Sequence, residues 1–148
     1  YKARMIRCRN LQSRRCPILV ICGGSGLGKS EFACSLYPIN ETRILSWQGV
    51  TEPDLTGIIV EDLKAIVLEE LDWQVMVNNK ELFQRSWRGV AMKQTRTGQW
   101  AEFFLLHGIA VIVTTNHWPD EHEAGPHWDW INTNCDVLRL TEKTYKPV

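Results

Sequence analysis

Apolar residues in this chain fall into short continuous runs rather than strict alternation, and the strongest runs end at glycine, asparagine or an acidic pair. Residues 17–22 (Pro-Ile-Leu-Val-Ile-Cys), 63–68 (Leu-Lys-Ala-Ile-Val-Leu) and 109–115 (Ile-Ala-Val-Ile-Val-Thr-Thr) each predict a buried strand, the last being the clearest. Shorter strands are expected at 43–47 and 137–140. Residues 31–36 read as the start of a helix, which Pro38 and Asn40 interrupt. A short helix is expected at 79–84, within a polar stretch that begins at Asp72. Residues 90–94 and 99–104 flank Thr-Arg-Thr-Gly at 95–98, which predicts a β-hairpin with a glycine turn. The segments 48–57 and 117–130 read as loops, the second polar and rich in Trp and His. Strands too uniformly apolar to alternate predict a mostly parallel sheet covered on both faces, an α/β architecture of three layers.

The 148 residues suffice for one domain that folds without a disulfide or structural metal. Net charge is zero, which argues against a surface that binds nucleic acid over its whole extent. The charge is unevenly placed, however. Lys2, Arg4, Arg7, Arg9, Arg14 and Arg15 lie in the first 16 residues without an acidic neighbour, leaving 11 basic against 17 acidic residues in 17–148. Residues 1–16 therefore read as a basic arm or linker and 17–148 as the core; the arm suits a nucleic-acid tether or a solvated linker equally. Five scattered cysteines without a CxxC suit a reducing compartment rather than a zinc site. No apolar run approaches the roughly 18 residues of a membrane span, so a soluble intracellular protein without membrane partners is expected. The start in basic sequence without Met reads as a piece of a longer protein.

The candidate chemistry begins directly after the first strand. Gly23, Gly24, Ser25, Gly26, Leu27, Gly28, Lys29 and Ser30 fill the pattern G-x-x-x-x-G-K-[ST]. Strand, glycine loop and helix is the setting in which backbone N–H groups cradle phosphates. Lys29 would reach the β- and γ-phosphates of ATP and Ser30 would ligate Mg²⁺. The third strand runs directly into Glu69 and Glu70. There Glu69 would hold Mg²⁺ and Glu70 would orient and deprotonate the attacking water, because open α/β sheets gather their ligands at the C-terminal ends of strands. The strand at 109–115 delivers Asn116, whose neutral amide can hydrogen-bond a γ-phosphate or a water without adding negative charge.

The order Gly-Gly-Ser-Gly-Leu-Gly-Lys-Ser, Val-Leu-Glu-Glu and Val-Ile-Val-Thr-Thr-Asn resembles the superfamily 3 helicase domain. This AAA+-type P-loop ATPase occurs in Rep proteins of circular single-stranded DNA viruses and in RNA-virus helicases. The resemblance spans residues 17–140. It implies that residues 23–30 are Walker A, that Glu69 and Glu70 are Walker B, and that Asn116 is the sensor of motif C, with Lys29, Glu70 and Asn116 as the catalytic set. It implies a P-loop NTPase (AAA+-like) fold, ATP and Mg²⁺ as substrate and cofactor, and a homo-oligomeric ring, a hexamer in the family. Single-stranded DNA or RNA would be gripped by the 93–98 hairpin, where Lys93 and Arg96 would contact the backbone. The chain departs from the pattern in having Glu69 where the family has Asp, in lacking a nuclease with paired histidines, and in lacking the C-terminal helical part. Arg139, Arg85 and Arg88 are each open as the arginine finger.

The expectation is an ATP-dependent helicase or translocase. A domesticated Rep-like remnant that binds nucleotide without unwinding is the main alternative, and a P-loop small-molecule kinase a more distant one. Seven tryptophans are many for this length. Trp100, Trp118, Trp128 and Trp130 are candidates for base stacking, but packing is the better default and none is assigned to a site.

Overall fold

Ile18–Gly23 forms β1, six residues of which the first five are buried, and it lies inside the sheet between two parallel neighbours. The structure is a computed structural model that describes residues 16–50, 55, 62–84, 90–91, 103–104 and 108–144. After β1 come α1 (Lys29–Ser35), a 3-10 turn (Ile39–Glu41) and β2 (Thr42–Ser46). Then follow β3 (Ala65–Glu69), α2 (Trp73–Asn78), α3 (Lys80–Gln84), β4 (Val90–Ala91), β5 (Phe103–Phe104) and β6 (Ala110–Thr115). The last elements are α4 (Glu121–Ala124), a 3-10 turn (Gly125–His127), α5 (Trp128–Asn134) and β7 (Cys135–Leu140).

Five strands make one wholly parallel sheet in the order β2-β3-β6-β1-β7. The parallel sheet expected from the uniform apolar runs is therefore present. Alternate residues of β1, β3 and β6 feed two separate cores. Leu19, Ile21, Val67 and Ile112 pack with Ala33 and Phe32 of α1 and with Leu36 at its C-terminal cap. Ile18, Val20, Ile66, Leu68, Val111 and Val113 pack on the opposite face with Trp73, Val75, Met76, Leu82, Phe83 and Ile131. Helices thus cover both faces, which is why the central strands run apolar on both faces up to their C-terminal ends. Cys16, placed at the end of the basic arm by composition, is itself buried against Ala65 and Ala110.

β4 and β5 pair antiparallel, with Val90 opposite Phe104, as the hairpin reading requires; its turn, with Lys93 and Arg96, lies outside the described residues. Two expectations need correction. The stretch 117–130 is not all loop, because Asp120 caps α4 by accepting from the Glu123 N–H at 2.8 Å and α5 follows at Trp128. The Asp-x-x-Glu spacing was the available signal, outweighed by the polar composition around it. Likewise a whole helix, α2, precedes the short one expected at 79–84, started by Asp72 accepting from the Gln74 N–H at 2.9 Å. Among the described residues no helix is long and apolar enough to cross a membrane.

Tryptophan packing follows the core. Trp47 is buried and meets Phe83 edge-on, with ring centroids 6.2 Å apart. Trp118 is buried, and Trp128 and Trp130 are half-buried against the same cluster.

Candidate functional site

β1, β3 and β6 all run in the same direction, so their C-terminal ends open on one edge of the sheet. β6 lies between the other two. Residues far apart in sequence are thereby brought side by side: the glycine loop after β1, the acidic pair after β3 and Asn116 after β6.

The loop needs its glycines for two different reasons. Gly26 and Gly28 have φ of +75° and +82°, the left-handed region where an L side chain is strained. Gly23 has ordinary backbone but no room, since an added Cβ would lie 2.8 Å from the Leu140 carbonyl oxygen of β7. Lys29, the first residue of α1, is only 6% exposed. Its ammonium curls back across the loop and donates to the carbonyl oxygens of Gly23 at 2.9 Å and Gly24 at 2.8 Å. A third bond, 2.8 Å, goes to Oδ1 of Asn116. The other end of that amide donates from Nδ2 to Oε2 of Glu70 at 3.2 Å. Lys29, Asn116 and Glu70 thus form one continuous hydrogen-bonded chain.

Glu70 sits in a constrained turn. Its φ of +59° makes it the non-glycine residue with left-handed backbone among the described residues. The turn is pinned to β6: the Glu70 N–H donates to Thr114 Oγ1 at 3.3 Å and the Leu71 N–H to the Thr114 carbonyl at 3.2 Å. A left-handed non-glycine residue costs roughly 1–2 kcal/mol and persists only where its surroundings over-determine it. The strained residue is the acid that bonds the amide partner of the buried Lys29.

Glu69 is half-buried at the end of β3, and its carbonyl accepts from the Trp47 N–H at 2.8 Å. Strand alternation puts it on the face of Ala65 and Val67, the α1 side. The Cys34 thiol lies on that side, packed against the α1 core, and its pKa is pushed up by burial first, then by the charges of Glu69 and Glu31. Ser30 stands one helical turn before Cys34 on α1, so the Ser30 hydroxyl and the Glu69 carboxylate belong to the same side of the sheet.

This donor set fits a magnesium-bound polyphosphate. Among the described residues the buried Lys29 ammonium meets neutral oxygens only, so an anion at the loop would find uncompensated positive charge. An added Cβ at Gly26 meets nothing within 4 Å, so the loop's outer turn is open. No cluster of three or more His, Cys, Asp or Glu suited to a metal occurs among the described residues. One hydroxyl and one carboxylate are the sparse protein ligation with which Mg²⁺, sharing phosphate oxygens and waters, is commonly held.

Every assigned residue of the loop, the acidic pair and Asn116 therefore lies at one edge of the sheet. Lys93, Arg96, Arg85 and Arg88 lie outside the described residues. Arg139 is exposed on the edge strand β7, with Nη1 4.0 Å from Cys22 Sγ at the foot of the loop. His117 is exposed and contacts Glu123 at 2.7 Å, in keeping with a loop histidine. Two residues escaped the sequence reading. Thr114 left a trace, as the first of two hydroxyl residues that end the apolar run before Asn116. Thr144, which bonds Leu27 and Gly28 from 117 and 116 residues away, left none. No protein-family model matches the chain, and no curated protein matches it in sequence.

Proposed function

We propose that the chain is a P-loop ATPase of the superfamily 3 helicase kind, which hydrolyses Mg²⁺-bound ATP and couples turnover to movement along single-stranded nucleic acid. The observation that carries the reading is the chain Lys29–Asn116–Glu70, which joins a phosphate-binding lysine to an acid through a neutral amide. Phosphate oxygens are stronger acceptors than the Gly23 and Gly24 carbonyls, so Lys29 exchanges those bonds for the β- and γ-phosphates. Asn116 then bridges Lys29 and the Glu70 carboxylate, fixing where that carboxylate stands. Glu70 takes the proton of the water that attacks the γ-phosphorus, and the bond to the β–γ bridging oxygen breaks. Ser30 and Glu69 would hold Mg²⁺, which when bound would supply charge neutralisation at the phosphates.

The test is ATP hydrolysis with and without single-stranded DNA or RNA, wild type beside Glu70→Gln. Turnover that rises with nucleic acid and disappears in the variant supports the motor. Turnover indifferent to both leaves no helicase reading. One feature favours a second reading, a remnant that binds ATP without hydrolysing it: Glu69 stands where the family carries Asp, and one methylene displaces a carboxylate in a site sensitive to shifts of about 1 Å. Tight ATP binding without turnover in either protein is the result that reading expects.

A further inference from the structure

We infer that Thr144 is a positioning residue for the phosphate loop, and that the segment after β7 acts as a strap that keeps the loop in its anion-binding shape. The inference rests on the nucleotide reading above. The chain leaving β7 crosses the loop from one end to the other. Leu140, paired with Gly23 in the sheet, packs so closely that its carbonyl excludes a Cβ there. Four residues on, Thr144 reaches the far end. Its N–H donates to the Leu27 carbonyl at 3.1 Å, and its hydroxyl shares one proton between the carbonyls of Leu27 at 3.1 Å and Gly28 at 3.2 Å.

These bonds help to set the direction of the loop's donors. A trans peptide is planar, so its C=O and N–H point to opposite sides. Drawing the Leu27 and Gly28 carbonyls toward Thr144 turns the Gly28 and Lys29 N–H groups the other way. Gly28 has no Cβ and a φ of +82°, so little in its own backbone preference resists a flip of the adjacent peptide. A flipped peptide would present a carbonyl where a phosphate needs a donor. The first helical bond of α1, from the Phe32 N–H to the Gly28 carbonyl at 3.0 Å, holds one side of this turn, and the Thr144 hydroxyl adds a second restraint that glycine itself cannot.

The experiment compares wild type, Thr144→Val and Thr144→Ser for binding of Mg²⁺-ATP and of inorganic triphosphate, with KM and kcat for ATP. Thr144 is exposed, so its substitution leaves the core intact and the thermal transition checks this. Thr144→Val keeps the shape and loses the hydroxyl. It is expected to weaken both ligands and raise KM about fivefold, the worth of one hydrogen bond, with kcat little changed. Thr144→Ser restores wild-type binding. Unchanged affinity in Thr144→Val, or an equal loss in Thr144→Ser, overturns the strap while leaving the nucleotide site standing. A wild type that binds neither ligand overturns the nucleotide reading and the strap with it.

Discussion

The Lys29 ammonium and the Asn116 amide oxygen are 2.8 Å apart, although 87 residues separate them. Because the other half of the amide donates to Glu70, Asn116 is the joint through which the loop and the acid are connected. Removing the amide should separate binding from chemistry. Asn116→Ala is expected to leave ATP affinity within a few fold and to lower kcat by roughly 10²–10³, the usual cost of one preorganised polar contact. Single-turnover kinetics on the variant, beside equilibrium ATP binding, measure the two effects independently. An affinity loss as large as the rate loss would assign Asn116 to binding.

Glu70 offers a contrast between stability and function. Its left-handed backbone suits glycine better than any residue with a Cβ. Glu70→Gly and Glu70→Ala both delete the carboxylate and should both lose turnover. The Gly variant should nevertheless melt about 2–4 °C above the Ala variant, about 1 kcal/mol in a domain of this size. Differential scanning calorimetry of the two variants is the check, and an Ala variant as stable as the Gly variant would deny the strain.

The Cys34 thiol reports on Glu69. Burial, Glu69 and Glu31 all raise its pKa, so the folded thiol holds its proton at pH values where an unfolded one has begun to lose it. Folding stability contributed by this group is therefore present below the unfolded thiol's pKa and declines as pH rises above it. Alkylation of Cys34, followed by peptide mass spectrometry, should be slow at pH 8 and faster in Glu69→Gln, which removes one of the charges opposing the thiolate. Equal rates would place Glu69 away from the Ser30–Cys34 face of α1.

Gly23 and Gly24 adjoin in sequence but differ in space. An added Cβ at Gly23 meets the Leu140 carbonyl at 2.8 Å, whereas at Gly24 the nearest atom is a Leu27 methyl at 3.9 Å. Gly23→Ala should destabilise by roughly 1–3 kcal/mol through displacement of β7, while Gly24→Ala should leave folding near wild type. Urea denaturation of both variants tests this; equal stabilities would mean that the β7 edge yields at no cost.

Local chemistry determined much of this protein from the sequence alone. Continuous apolar runs marked β1, β3 and β6, because strands buried on both faces have no polar positions to interrupt them. The spacing of Gly23, Gly28, Lys29 and Ser30 marked the loop, since left-handed turns and phosphate cradles constrain residue type within a few positions. Polar helices were less legible: α4 and α5 bury little beyond Ala124 and Ile131, so their hydrophobic period is too thin to read. What only the tertiary structure decided is partnership across distance. Seating β6 between β1 and β3 is a choice of strand order, made by the packing of two cores, and it alone brings Asn116 between Lys29 and Glu70. Thr144 meets Gly28 for the same reason: β7 pairs with β1, so the chain that follows it must pass over the loop.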